Sequence, residues 1–201
     1  ANPDSFSSPA TLAEVQAMIT AVNTAQTSIL AQIGNEGDNP DTENSIVTAV
    51  QLASLSGITG VVNANEDAYQ DYIDANPDSF SSPATLAEVQ AMITAVNTAQ
   101  TSILAQIGNE GDNPDTVNSI VTAVQLASLS GITGVVNANE DAYQDYIDAN
   151  PDSFSSPATL AEVQAMITAV NTAQTSILAQ IGNEGDNPDT VNSIVTAVQL
   201  A

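Results

Sequence analysis

The stretch ANPDSFSSPATLAEVQ begins at Ala1, recurs at Ala75 and begins again at Ala149, so the chain is written on a 74-residue period. A period of this kind constrains folding more than any residue count. Every copy has to adopt the same local structure, and apolar faces that one copy cannot cover must meet those of its neighbour. Only one position differs between overlapping copies, Glu43 being Val117 and Val191 later on. The period divides the chain into residues 1–74, 75–148 and an incomplete third copy, 149–201. Because the third copy stops inside a helical pattern, we expect an excerpt from a longer array.

The first element of each period is the clearest. Leu12, Val15, Ile19, Val22, Ile29 and Ile33 recur at spacings of three and four, widened by Met18, Ala25 and Leu30 and interrupted by Gln26. That pattern predicts a long amphipathic helix, with Ser8 as cap, Pro9 as first helical residue and Gly34 as stop. A second helix is expected from Thr42 to Ser56, with Ile46, Val47, Val50, Ala53 and Leu55 inside and Gly57 ending it. A third is expected from Gly60 to Asp74, burying Val61, Ala68 and Tyr72 with Val62, Tyr69 and Ile73 beside them.

The expected fold is therefore all-α: tandem three-helix bundles of 74 residues, stacked end to end into a rod or fibre. An odd number of helices sends the chain onward rather than back to its start. Each copy would add roughly 40 Å, close to the length of its long helix. The bundle can be cut as first, second and third helix. It can equally be cut as second, third and the next copy's first, with GNEGDNPDT (Gly34 to Thr42) as the joint.

Charge narrows the chemistry. The 201 residues hold 24 Asp plus Glu and no Lys, Arg or His, for a net charge of −24. Without a cation there is no phosphate clamp and no counterion release, which argues against binding nucleic acid or an anionic membrane surface. No run of residues is long and apolar enough to suggest membrane insertion. His, Cys and Lys, which supply most catalytic bases, nucleophiles and transition-metal ligands, are absent, so we expect no enzyme. With no cysteine, disulfides are excluded. What remains is carboxylate, amide, hydroxyl and carbonyl oxygen, the donor set of calcium.

The acid is clustered. One group is Glu36, Asp38 and Asp41, repeated as Glu110, Asp112 and Asp115. The other is Asp71, Asp74, Asn76 and Asp78, repeated as Asp145, Asp148, Asn150 and Asp152. Asp74, Asn76 and Asp78 have the alternating spacing with which calcium loops present oxygens to one ion, and Ser82 stands at the ninth position. Ser79 in place of the turn glycine, Pro77 within the loop and Thr85 in place of the closing glutamate exclude an EF-hand. These residues are candidate calcium ligands at acidic joints; the alternative is that they solvate loops and open helices. Carboxylate pairs without an aromatic sugar platform do not suggest a glycosidase. The threonines of the long helix, Thr20, Thr24 and Thr27, read as a solvated face, together with Asn23 and Ser28. Tyr69 and Tyr72 read as core rather than as a ligand stack.

The segments SGITGVVNANEDAYQDYIDA (Ser56 to Ala75) and SSPATLAEVQAMITAVNTAQ (Ser7 to Gln26) resemble the tandem helical repeats of very large secreted bacterial surface proteins of adhesin-like type. Thr11 to Gln16 and Asn65 to Gln70 carry the resemblance, which covers the whole period. It implies export without disulfides, a location outside the cell or on its surface, and a role as stalk, spacer or filament in attachment. The partners it implies are neighbouring repeats of the same chain, with lateral or end-to-end self-association. The lack of Lys and Arg departs from that group; it argues against ordinary salt-bridged packing and favours metal or high-salt conditions. A rival expectation is a multivalent binding module or cation buffer in which each repeat captures a ligand or ion.

Overall fold

The computed structural model describes residues 6–35, 47–109 and 121–183, and among these the chain is all-helical, with no strand. Among the described residues seven α-helices follow one another: α1 (Leu12–Gly34), α2 (Ala49–Ser54), α3 (Glu66–Ala75), α4 (Leu86–Gly108), α5 (Ala123–Ser128), α6 (Glu140–Ala149) and α7 (Leu160–Asn183). Short 3-10 turns, Asn63–Asn65 and Pro77–Ser79, flank α3 and recur as Asn137–Asn139 and Pro151–Ser153 around α6. No described helix is long and apolar enough to cross a membrane.

The long helix starts later than the proline suggested. Thr11 is its cap: the hydroxyl accepts the Glu14 N–H at 3.3 Å and the Glu14 carboxylate accepts the Thr11 N–H at 2.7 Å. This reciprocal pairing satisfies two backbone donors that an open helix end leaves unpaired, which a proline at the first position cannot do. The 23 residues of α1 make a helix about 35 Å long.

The second and third helices are shorter than expected. Thr48 and Gln51 form a capping box that starts α2 at Ala49, and the helix stops at Ser54; the expected beginning at Thr42 lies outside the described residues. Its buried side is Val47, Ala49, Leu52 and Leu55, while Val50 and Ala53 face outward. Between α2 and α3 the backbone turns at Gly57 and Gly60, both with positive φ. α3 buries Tyr69 and Ile73 completely and leaves Tyr72 half-buried against Phe80, edge to face at 6.5 Å.

The chain forms two compact units, Ala1–Ala99 and Gln100–Ala201. In the first, the core gathers Ile29 and Ile33 from the end of α1, Val47, Leu52 and Leu55 from around α2, Tyr69 and Ile73 from α3, and Val89, Met92, Ile93 and Val96 from the beginning of α4. In the second, Ile103 and Ile107 of α4 join Val121, Leu126, Leu129, Tyr143, Ile147, Val163, Met166, Ile167 and Val170. Each core thus holds the end of one long helix, two short helices, and the beginning of the next long helix. The loop that enters the next long helix passes so close to the preceding one that Ala84 N–H donates to Leu30 C=O at 2.9 Å. A Cβ on Gly34 would lie 2.3 Å from the Ser81 carbonyl oxygen, so only glycine fits there.

Candidate functional site

Among the described residues the most developed polar arrangement joins α3 and the turn before it to the long helix of the following copy. Tyr69 sits at its centre. Its hydroxyl donates to Asn97 Oδ1 at 2.7 Å and accepts the Val62 N–H at 3.0 Å. Asn97 Oδ1 also accepts from Asn65 Nδ2 at 2.9 Å, and Asn97 Nδ2 donates to Gly60 C=O at 2.7 Å. Two turns earlier on α4, Gln90 Oε1 accepts the Thr59 N–H at 2.9 Å while its Nε2 donates to Thr59 C=O at 3.1 Å. One long-helix face therefore carries an apolar stripe flanked by two amides that read the backbone of residues 59 and 60.

The second unit repeats the arrangement. Tyr143 donates to Asn171 at 2.7 Å, Asn171 Nδ2 donates to Gly134 C=O at 2.7 Å, and Gln164 pairs with both backbone groups of Thr133. Sequence reasoning missed the clamp because it placed Asn23, the counterpart of Asn97, on a solvated face. The available signal was an amide set among threonines, one position beyond the apolar Val22.

Carboxylates in this protein meet backbone N–H groups instead of side-chain cations. Glu66 Oε2 accepts the Ala49 N–H at the start of α2 at 2.7 Å, and Glu140 does the same for Ala123 at 2.8 Å. Glu14 is held at about 2, below its ordinary 4.5, by the Thr11 N–H and then by Ser7. Glu88 is likewise at about 2 through the Ser81 hydroxyl and the Thr85 N–H, and Glu162 through the Thr159 N–H and Ser155. All three sit in the first helical turn, where the macrodipole favours negative charge.

Of the candidate calcium ligands, Glu36, Asp38, Asp41, Glu110, Asp112 and Asp115 lie outside the described residues. Asp71, Asp74 and Asp78 are exposed around the end of α3, as are Asp145, Asp148 and Asp152 around α6. Asn76 and Asn150 turn their amides back, Nδ2 donating to Tyr72 C=O and Tyr146 C=O at 2.8 Å each. Residues 77–79 are wound into a 3-10 turn rather than opened into a loop. Among the described residues no three Asp or Glu side chains gather round one point where an ion could be held.

An open groove of about 630 Å³ runs along α7 past Thr168, Asn171, Thr172 and Thr175, and a smaller one lies along α1 at Thr20, Asn23, Thr24 and Thr27. Their threonine hydroxyls are turned inward: Thr20, Thr24 and Thr27 each donate to the carbonyl four residues earlier at 2.9 Å. Such grooves present methyl groups and amides, with no carboxylate in their lining.

In comparisons with protein-family models, curated proteins and solved structures, nothing matches this chain.

Proposed function

We propose that this chain is a structural tandem-repeat protein, an extracellular stalk, spacer or filament segment that serves attachment at a cell surface. The observation that carries the reading is the division of labour along α4, which gives Val89, Met92, Ile93 and Val96 to one core and Ile103 and Ile107 to the next. A helix that gives residues to two cores in this way supports reading the chain as a tandem array of like units. The three helices per 74-residue period support bundles that follow one another end to end, with length set by copy number.

Calcium at the acidic joints is the part of this proposal that rests on the sequence clusters alone. The extracellular location rests on the resemblance of the repeats to those of secreted surface proteins.

Small-angle scattering on chains of two, three, four and six copies tests the proposal. A maximum dimension that rises by roughly 40 Å per added copy is expected. A dimension growing only as the cube root of mass would mean that the copies collapse together, and would end the structural reading.

A further inference from the structure

Two kinds of capping box open the helices of this chain, and they differ in the residue that answers the threonine. Before α2 and α5 it is a glutamine: Gln51 Oε1 accepts the Thr48 N–H at 2.8 Å, and Gln125 Oε1 accepts the Thr122 N–H at 2.9 Å. In the first turn of each long helix it is a glutamate, Glu14, Glu88 or Glu162. An amide oxygen is enough to start a helix. A carboxylate adds a second acceptor oxygen and a charge, and here both are spent on a serine seven positions upstream.

Glu88 Oε2 accepts the Thr85 N–H at 2.7 Å, as a cap does. Its Oε1 accepts the Ser81 hydroxyl at 2.6 Å, and Oε2 also takes the Ser81 N–H at 3.1 Å. Glu162 repeats the arrangement, with the Ser155 hydroxyl at 2.7 Å, the Ser155 N–H at 3.1 Å and the Thr159 N–H at 2.7 Å. One carboxylate thus ties both ends of the segment 81–85. Between those ends, Ala84 N–H donates to Leu30 C=O, and Ser81, Pro83 and Ala84 supply the backbone atoms that a Cβ on Gly34 would strike. The segment is a strap laid on the end of one long helix and held by the first turn of the next.

The strap takes its shape from the carboxylate. In the first copy Glu14 accepts the Ser7 N–H at 3.0 Å, the Ser7 hydroxyl at 2.7 Å and the Thr11 N–H at 2.7 Å, with no long helix before it among the described residues. Of the buried residues gathered in the first core, only Ala84 lies on the strap. Opening the strap therefore gives up one methyl of core burial and one hydrogen bond to the preceding helix, far less than unfolding the unit.

We infer that Glu88 and Glu162 are latches: each holds its strap closed on the end of the preceding long helix, and releasing the latch opens that contact while the core beside it stays folded. This adds a local opening step to the structural role proposed above. It stands whether or not the copies extend into a rod or lie outside the cell, so scattering and the latch can fail separately.

Because the chain has no cysteine, an introduced thiol is its only one. Ala84→Cys places the thiol on the strap, where Ala84 is 3% exposed, and Val89→Cys places it in the core, where Val89 is fully buried. In the 201-residue protein, adding Glu88→Gln should speed alkylation of the strap thiol about tenfold. The core thiol's rate and the helix content should not change, since glutamine keeps the cap and loses the latch. Gly34→Ala should open the same strap from its other side, and combining it with Glu88→Gln should add little, because both release one contact. Hydrogen exchange of the Ala84 and Ala158 N–H groups in Glu88→Gln/Glu162→Gln makes the same comparison without a thiol, with exchange about tenfold faster expected. The inference is overturned if strap labelling and exchange keep the parent rates. It is equally overturned if the strap and core thiols speed up together, since the carboxylate would then hold the whole unit and not the strap.

Discussion

The Tyr69 hydroxyl lies 2.7 Å from Asn97 Oδ1, and the two residues are 28 positions apart on consecutive copies of the repeat. Tyr69 is fully buried, so its hydroxyl depends on that oxygen and on the Val62 N–H for its hydrogen bonds. Replacing Asn97 by Ala strips partners from Tyr69, Asn65 and Gly60 at once. Leaving buried polar groups unpaired costs about 1–3 kcal/mol each, so Asn97→Ala should lower stability by about 3 kcal/mol in urea unfolding. Asn23→Ala, the same substitution where the side chain is exposed, should change stability by less than about 0.5 kcal/mol. Equal losses at the two positions would mean that Asn97 acts through its helix and not through the clamp.

Gly108 and Gly182 occupy the same place in the repeat and should respond oppositely to alanine. A Cβ on Gly108 would stand 2.3 Å from the Ser155 carbonyl oxygen and 2.6 Å from the Ala158 nitrogen, both backbone atoms that cannot swing aside. Gly108→Ala must push the loop away and break the Ala158 N–H bond to Leu104 C=O, at a cost of about 2 kcal/mol or more. At Gly182 no atom of the described residues lies within 4 Å, and alanine should gain up to about 1 kcal/mol from its better helix propensity. Differential scanning calorimetry of the two variants checks the signs.

Much of this fold is legible in the amino-acid sequence, and its limits have a physical origin. The helix from Leu12 to Gly34 is read from its stripe because helical periodicity is local: a window of about 11–18 residues shows it. The helix start is misread because Ser8–Pro9 is also a plausible start, whereas Thr11-Leu-Ala-Glu14 is the stronger capping box. On α3 Tyr69 is fully buried and Tyr72 only partly, because Tyr69 belongs to a core that includes Val89, Ile93 and Val96 from far along the chain. The clamp escapes sequence reading for the same reason, since Asn97 reaches Gly60 across 37 residues. Periodicity also cannot say what will cover the stripe at the beginning of α4, because its partners lie on segments far from the helix itself.

Acid should loosen the helix starts in a defined window. The folded-state values of Glu14, Glu88 and Glu162 lie at about 2, below the ordinary 4.5. Groups depressed in this way contribute stability that is complete above about 4.5 and is lost as pH falls through about 2. Lower pH also discharges the other carboxylates and relieves their repulsion, which acts in the opposite direction. A variant comparison separates the two. The melting-temperature gap between the parent protein and Glu88→Ala should be constant from pH 7 to about pH 5 and should shrink steadily towards pH 2. A gap that closes already near 4.5 would show that Ser81 and Thr85 do not hold the carboxylate.

Salt and calcium act on the remaining charge by different routes. With a net charge of −24 and no cationic side chain, repulsion is compensated only by ions from solution. Raising sodium chloride from 0.01 M to 0.1 M shortens the Debye length from about 30 Å to about 10 Å, and the melting temperature should rise with it. Calcium at constant ionic strength isolates direct binding from screening. If the acidic joints hold calcium, as proposed, it should raise the melting temperature beyond the same concentration of magnesium, which sheds its water less readily. That excess should disappear when Asp38, Asp41, Asp112 and Asp115 are replaced by Asn. Equal effects of the two ions would remove calcium from the proposal and leave the carboxylates as helix caps and diffuse charge, with the tandem cores unaffected.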